Sequence, residues 1–188
     1  MVKCRICNSP FTTVLINREF VDNGLFPLQD YLLYTCLTCG FVFTQNNNEH
    51  LLSDYYRTMS KYANSYAFSS ERMGCVRELF ERNITKESSI LDVGCANGEF
   101  LEELQRAGYR NLLGIDLSTT GNRKLENGHI IPIKQTSIFD FKSNTGFDCV
   151  TALGVLEHVA NVHEFFDRCS SVLNDNGFFV LAVPNLGR

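Results

Sequence analysis

Ile90-Leu91-Asp92-Val93-Gly94-Cys95-Ala96-Asn97-Gly98-Glu99-Phe100 is the stretch whose reading decides the fold. Three apolar residues around one acid read as a short buried strand over 89–93, running straight into a glycine turn. The turn opens a helix over 98–107, with Phe100, Leu101, Leu104 and Ala107 facing inward and Gly108 as its stop. In an open α/β sheet, ligands sit at the carboxyl ends of strands, where the strand order reverses. Gly94 is expected to permit close backbone approach to a ligand, and Gly98 to let the helix start tightly against it. Asp92 puts a carboxylate at the strand end, which suits a cationic amino group rather than a pyrophosphate. The spacing is not the Gly-x-Gly-x-x-Gly of dinucleotide sites.

Twenty-four residues after Asp92 comes a second acid, in Gly114-Ile115-Asp116-Leu117-Ser118, at the end of a strand over 112–117. An acid there is placed to accept hydrogen bonds from both hydroxyls of a ribose. Either acid alone reads equally well as a cap of the turn or helix that follows it. The two together, in one strand–helix framework, read as a cofactor site. Further along, the pattern predicts a short helix through about Glu126, a strand within 130–138 and a strand over 147–153. A helix capped by Asn161 follows, with Glu164 three residues on as in a capping box. Its stripe is Val162, Phe165, Phe166, Cys169, Val172 and Leu173, and Asn176-Gly177 then turns into a last strand over 178–183. Strands alternating with helices imply a Rossmann-like, doubly wound parallel sheet, with five strands present. Upstream, residues 46–86 read as a helical connector in which Met73, Val76, Leu79 and Phe80 share a face. The domain plan is thus 1–45, 46–86 and 87–188.

Residues 88 to 185 resemble the class I S-adenosylmethionine-dependent methyltransferases in each successive motif. Leu91-Asp92-Val93-Gly94-Cys95-Ala96-Asn97-Gly98 is similar to their first motif, and Gly114-Ile115-Asp116 to their ribose-binding motif. Phe147-Asp148-Cys149-Val150 through Val155-Leu156-Glu157-His158-Val159 is similar to their fourth strand and the segment after it. Leu173-Asn174-Asp175-Asn176-Gly177-Phe178 through Val183-Pro184-Asn185 is similar to their fifth strand and its turn. The resemblance implies that S-adenosylmethionine lies across the strand ends. Asp92 and Gly94 would hold its methionine end, Asp116 and Leu117 the ribose, and Ser137 and Ile138 the adenine, with Cys95, Gly98 and Leu153 completing the cofactor set. Many relatives carry an acid where Ser137 stands; a serine hydroxyl still bonds the adenine edge.

The first 45 residues carry a different chemistry. Cys4-Arg5-Ile6-Cys7 and Cys36-Leu37-Thr38-Cys39-Gly40 form two Cys-x-x-Cys knuckles separated by 28 residues. Two knuckles complete a closed tetrahedral Cys4 site, which predicts a structural zinc ion, with iron or disulfides as the alternatives. Cys75, Cys95, Cys149 and Cys169 read as packing residues. The knuckles, the aromatic strand after Gly40 and the tyrosines Tyr55, Tyr56, Tyr62 and Tyr66 resemble the zinc-ribbon methyltransferases of bacterial sugar pathways. That resemblance implies a sugar-linked small-molecule acceptor and leaves C-, O- and N-methylation open. The stretch between the knuckles departs from the C-methylating enzymes, lacking their Gly-x-x-Pro segment.

Methyl transfer is an in-line displacement whose leaving group needs no proton, so catalysis rests on alignment and, for some acceptors, a base. His158 is the base candidate because imidazole titrates near neutrality. The alternative, that Glu157 and His158 shape the loop, stands beside it. The chain has 188 residues, 44% hydrophobic and 20% charged, with a net charge of −4. Such a balance disfavours a nucleic-acid surface, leaving an RNA methyltransferase as the second enzyme reading and a non-catalytic binding module as the third. No signal-peptide pattern and no membrane-length apolar run is present, which predicts a cytoplasmic protein. After the strand over 178–183 only five residues remain, against two further strands in the resembled fold. The expectation is a truncated enzyme that associates through an exposed last strand.

Overall fold

The computed structural model describes residues 2–18, 31–44, 70–118 and 121–184. The chain divides into two compact units. The expected helix over 49–59 and the tyrosines at 55, 56, 62 and 66 lie outside the described residues.

In the N-terminal unit, β1 (Thr12–Arg18), β2 (Tyr31–Cys36) and β3 (Val42–Thr44) make an antiparallel sheet in chain order. The two knuckles flank it. Cys4, Cys36 and Phe43 are its buried residues, with Tyr34 and Phe41 stacked on Phe43.

The second unit begins with α1 (Ser70–Asn83), followed by β4 (Ser89–Val93), α2 (Glu99–Arg106) and β5 (Asn111–Asp116). Three short strands come next: β6 (Arg123–Lys124), β7 (Ile130–Ile131) and β8 (Ile133–Gln135). Then follow β9 (Phe147–Leu153), a 3₁₀ turn at Leu156–His158, α3 (Val162–Ser171) and β10 (Leu173–Ala182). Five strands pair in the order β10-β9-β4-β5-β8, all parallel. The Rossmann-like fold expected from the sequence is the one observed. Because β5 lies on one side of β4 and β9 on the other, the strand order reverses at β4, and the crevice opens at its carboxyl end.

Alternation along β4 splits the core in two. Ile90 joins Phe80, Phe100, Leu101, Leu104 and Tyr109 on one face, while Leu91 and Val93 join Ile115, Val150 and Phe165 on the other. Phe80 meets Phe100 and Tyr109 edge-on, with ring centres 6.0 and 5.7 Å apart. Helix α2 stops as its sequence predicts. Gly108 sits at φ 97°, its N–H bonds to Gln105, and the Tyr109 N–H bonds to Leu104, a Schellman closure.

Two expectations are corrected. The short helix through Glu126 is absent; a hairpin of β6 and β7 stands there, closed by Asn127-Gly128, with Gly128 at φ 80°. The Asn176-Gly177 turn does not precede the last strand but lies within β10. Leu173 pairs with Phe147 and Phe178 with Cys149, so residues 174–177 bulge out, with Asn176 at φ 63°. Among the described residues β10 pairs only with β9, and no helix is long and apolar enough to cross a membrane.

Candidate functional site

The carboxyl ends of β4, β5 and β9 converge on the loop 94–98. Gly94 turns at φ 71°, Ala96 at φ 48° and Gly98 at φ 81°, three left-handed residues that fold the loop back on itself. The Gly94 and Cys95 N–H groups both donate to the Ile115 carbonyl, at 2.8 and 3.1 Å, tying the loop to β5. The glycines serve packing within the protein. A side chain at Gly94 would meet Val155 Cγ2 at 2.5 Å, and one at Gly98 would meet Ile133 Cδ1 at 2.9 Å. Gly114 has the same role, since a Cβ there would strike Cys95 Sγ.

Asp116 is held by the chain itself. Its Oδ1 accepts from the Ser118 N–H and the Ser118 hydroxyl, both at 2.7 Å, and its Oδ2 accepts from the Ala96 N–H at 2.9 Å. Four lone-pair positions less three donors leave one for a ligand. A diol held through both hydroxyls would have to displace the Ser118 hydroxyl. Leu117 is pinned by Gln135 Nε2 donating to its carbonyl at 3.0 Å.

Asp92 is the opposite case. It is only 3% exposed, and its one donor among the described residues is the Thr151 hydroxyl, on Oδ1 at 2.6 Å. Burial pushes its carboxyl from 3.8 up to about 7; the Thr151 hydrogen bond works against the rise and the Asp116 charge adds to it. A buried carboxylate at a strand end with a single donor has lone pairs left to accept from a further donor. Cys95 is pushed well up, chiefly by burial and then by the charges of Asp92 and Asp116, so it packs rather than reacts. Burial drives Cys149 and Cys169 up to about 12 as well.

Leu153 closes β9, where the Gly154 N–H reaches the Ala182 carbonyl at 2.8 Å. His158 ends the 3₁₀ turn with an exposed side chain, and Val155 of the same segment packs against Gly94. Ser137 donates to Asp140 Oδ2 at 2.6 Å, while Ile138 is buried in the α3 face of the core. The structure thus gathers Asp92, Gly94, Cys95, Gly98, Asp116 and Leu117 around one loop. Ser137 and Ile138 follow β8, and Leu153 and His158 follow β9. Sequence reasoning missed Thr151, Ser118, Asp140 and Val155. Thr151 carried a readable signal, a hydroxyl in an otherwise apolar strand.

In the N-terminal unit Cys4, Cys7, Cys36 and Cys39 bring their sulfurs within 4.8 Å of one another, with the Cys4–Cys39 and Cys7–Cys36 pairs at 3.6 Å. Tetrahedral zinc thiolates with Zn–S near 2.3 Å need S···S separations of about 3.8 Å, so the donor set fits such an ion. The knuckles are near copies. After each second cysteine a left-handed residue, Asn8 at φ 59° or Gly40 at φ 75°, returns its N–H to the first cysteine's carbonyl, at 3.0 and 2.9 Å. Burial opposes the Cys36 thiolate, yet the N–H groups of Cys39 and Thr38 bring it down to about 6.

Comparison with known proteins gives the family. Residues 64–187 match the family described as Methyltransferase domain. The ubiquinone biosynthesis O-methyltransferase of Bradyrhizobium diazoefficiens is 28% identical over 149 residues, 72% of this chain and 58% of that protein. The chain therefore spans little more than half the length of that curated relative. Among solved structures, the DhpI-SAM-HEP complex superposes with a TM-score of 0.58 at 17% identity, covering 76% of this chain and 70% of that one. The sugar N-methyltransferase KedS8 from Streptoalloteichus superposes at 0.51 with 24% identity, covering 66% and 51%. The matched span runs from ahead of β4 to beyond β10 and so takes in the whole parallel sheet with its strand-end loop: the chain belongs to the methyltransferase domain family.

Proposed function

We propose that the chain binds S-adenosylmethionine at the carboxyl ends of β4, β5 and β9 and transfers its methyl group to a small-molecule acceptor. The observation that carries this reading is Asp92, a buried carboxylate with one hydrogen-bond donor, beside Asp116 on the neighbouring strand. A cationic amino group supplies the missing partner. When bound, the cofactor supplies an electrophilic methyl on a sulfonium. The chain holds it with Asp92 and Gly94 at the amino-acid end, Asp116 and Leu117 at the ribose, and Ser137 and Ile138 at the adenine. Cys95, Gly98 and Leu153 shape the walls. His158, at the end of the turn after β9, takes the acceptor's proton where one must leave. Retained turnover in His158→Ala would reduce it to a spacer; lost turnover with cofactor binding intact would support the base role.

The acceptor in this reading is sugar-linked, on the resemblance of the cysteine module to zinc-ribbon sugar methyltransferases. A second reading, a phenolic hydroxyl of a quinone precursor, is favoured by the curated relatives named ubiquinone biosynthesis O-methyltransferase. Calorimetry with S-adenosylmethionine, followed by methyl-transfer assays with nucleotide sugars, phenolic acceptors and RNA, tests the function and separates these classes. No heat of binding at any pH between 6 and 9 would end it. The N-terminal unit is a structural zinc module held by Cys4, Cys7, Cys36 and Cys39. Chelation should unfold that unit while cofactor affinity in the other stays within about twofold, because metal binding there is folding free energy. Metal analysis finding neither zinc nor iron in the purified protein would overturn it.

A further inference from the structure

Asp92 and Thr151 are the two buried polar side chains among the described residues, at 3% and 0% exposure. They stand opposite each other on paired strands, β4 and β9, at the end of the sheet where the crevice opens. The Thr151 hydroxyl has two oxygens in view, Asp92 Oδ1 at 2.6 Å and the Leu91 carbonyl at 3.5 Å. It has one proton, and the shorter contact takes it. A threonine in a dry strand is costly unless its hydroxyl is satisfied. The Thr151 hydroxyl is satisfied by Asp92 Oδ1, and Asp92 Oδ2 has no donor among the described residues.

We propose that Thr151 is a positioning residue for cofactor binding: its hydroxyl fixes the Asp92 carboxylate on the β9 side and so presents the second oxygen to the cofactor's amino group. The inference rests on the methyltransferase reading above and assigns that site a member from a strand interior. It also gives the hydroxyl two settings. With Asp92 ionised, Thr151 donates to it. With Asp92 protonated, the acid donates to the hydroxyl, whose own proton turns to the Leu91 carbonyl. Both settings keep the Thr151 hydroxyl hydrogen-bonded, and the ionised one leaves Asp92 Oδ2 for the incoming amino group.

Because Thr151 favours the ionised carboxylate, its loss raises the pH at which Asp92 becomes competent. The other charge acting on Asp92 is Asp116 at the end of β5, which opposes its ionisation; Asp92 in turn helps to hold the thiols of Cys95 after β4 and Cys149 on β9 in their neutral form. Glu99, at the start of α2, bears on Cys95. Burial keeps the Cys95 and Cys149 thiols neutral across pH 6 to 8, so a midpoint that moves in Thr151→Val and returns in Thr151→Ser reports on the Asp92–Thr151 pair.

The test is calorimetric binding of S-adenosylhomocysteine, which keeps the same amino group, from pH 5.5 to 8.5. Wild-type affinity should fall about tenfold per pH unit below the Asp92 midpoint. Thr151→Val should move that midpoint up by about one pH unit and weaken binding about fivefold at pH 7 and about tenfold at pH 5.5, while Thr151→Ser restores both. Should the valine chain fail to fold, Thr151→Ala makes the same measurement without a second methyl to place. The carboxyl ¹³C titration of Asp92 in the ligand-free chain should show the same upward shift. A wild-type chain that binds no ligand would sink the parent reading and this one with it. A wild-type chain that binds, with hydroxyl-free variants matching its affinity and midpoint at every pH, would sink this inference alone.

Discussion

Two aspartates on one sheet show how differently the same side chain is used at its two ends. Asp148 stands near the amino end of β9, where its Oδ2 accepts from the Ser89 N–H at 2.8 Å and the Ser89 hydroxyl at 3.0 Å, and its Oδ1 from Asn174 Nδ2 at 2.7 Å. It clips the starts of β4, β9 and β10 together. The Ser89 N–H leads in holding its carboxyl below the ordinary 3.8. Asp92, at the other end of β4, has one donor, is buried, and is raised to about 7. A carboxylate that serves the fold is supplied with donors by the fold. One that is buried and left short of donors is waiting for a partner from outside.

The contrast breaks most visibly at Asp92 itself. Asp92→Asn keeps the shape and the Thr151 contact but removes the charge. Cofactor affinity should fall about a hundredfold or more, the scale of breaking a buried ion pair at about 3–5 kcal/mol. The melting temperature at pH 8 should hold or rise, because a buried charge has gone. A variant that binds normally but melts early would reverse the assignment. Asp116→Ala should follow, with about a tenfold to hundredfold loss from about 1.5–3 kcal/mol of charged hydrogen bonding. Since Asp116 also anchors Ala96 and Ser118, Asp116→Asn belongs beside it. Unchanged calorimetric affinity in both would remove Asp116 from the site.

Asp148→Ala gives the smallest effect and the opposite pattern: about 1–3 kcal/mol of stability lost by denaturant titration, with cofactor affinity unchanged. The two acids also differ in sign with pH. Asp148 has a folded value below its unfolded one, so its contribution is complete above about pH 4 and is lost as pH falls through the folded value. Asp92 has a folded value above its unfolded one, so its contribution is complete below about pH 4 and drains away as pH rises toward 7. Comparing Asp92→Asn with wild type across pH 4 to 8 should therefore show the variant gaining on wild type as pH rises. Parallel stability curves would refute the raised carboxyl.

Much of this was legible in the residues because it was written in periodicity and spacing. The strand over 89–93, the helix after Gly98 and the paired knuckles each follow from patterns a few residues long. The hairpin of β6 and β7, which stands where a short helix was expected, carries its signal in Asn127-Gly128, a dipeptide suited to a tight turn between strands. What pattern could not supply was partnership across strands. That Thr151 would lie against Asp92 depends on β9 pairing with β4, 59 residues away in the chain. That Ser137 would donate to Asp140, and that Gly94 would face Val155, likewise belongs to the folded chain. Backbone room around glycine was read as room for a ligand, when much of it is taken by protein.

The Val155 contact limits how this molecule can drift. Position 94 is barred to larger residues twice over, by its left-handed backbone and by the isopropyl group against it. Trimming Val155 would lift only the second bar and leave the first, a backbone cost of about 1–2 kcal/mol of the kind that Ala96 already bears in the same loop. Val155 for its part is packed against the core as well as on Gly94, so a change of size there bears on both and on the seat of the turn that ends in His158. Under the proposed function, a change at 155 would reshape the segment after β9 while the loop 94–98 keeps its glycine turn.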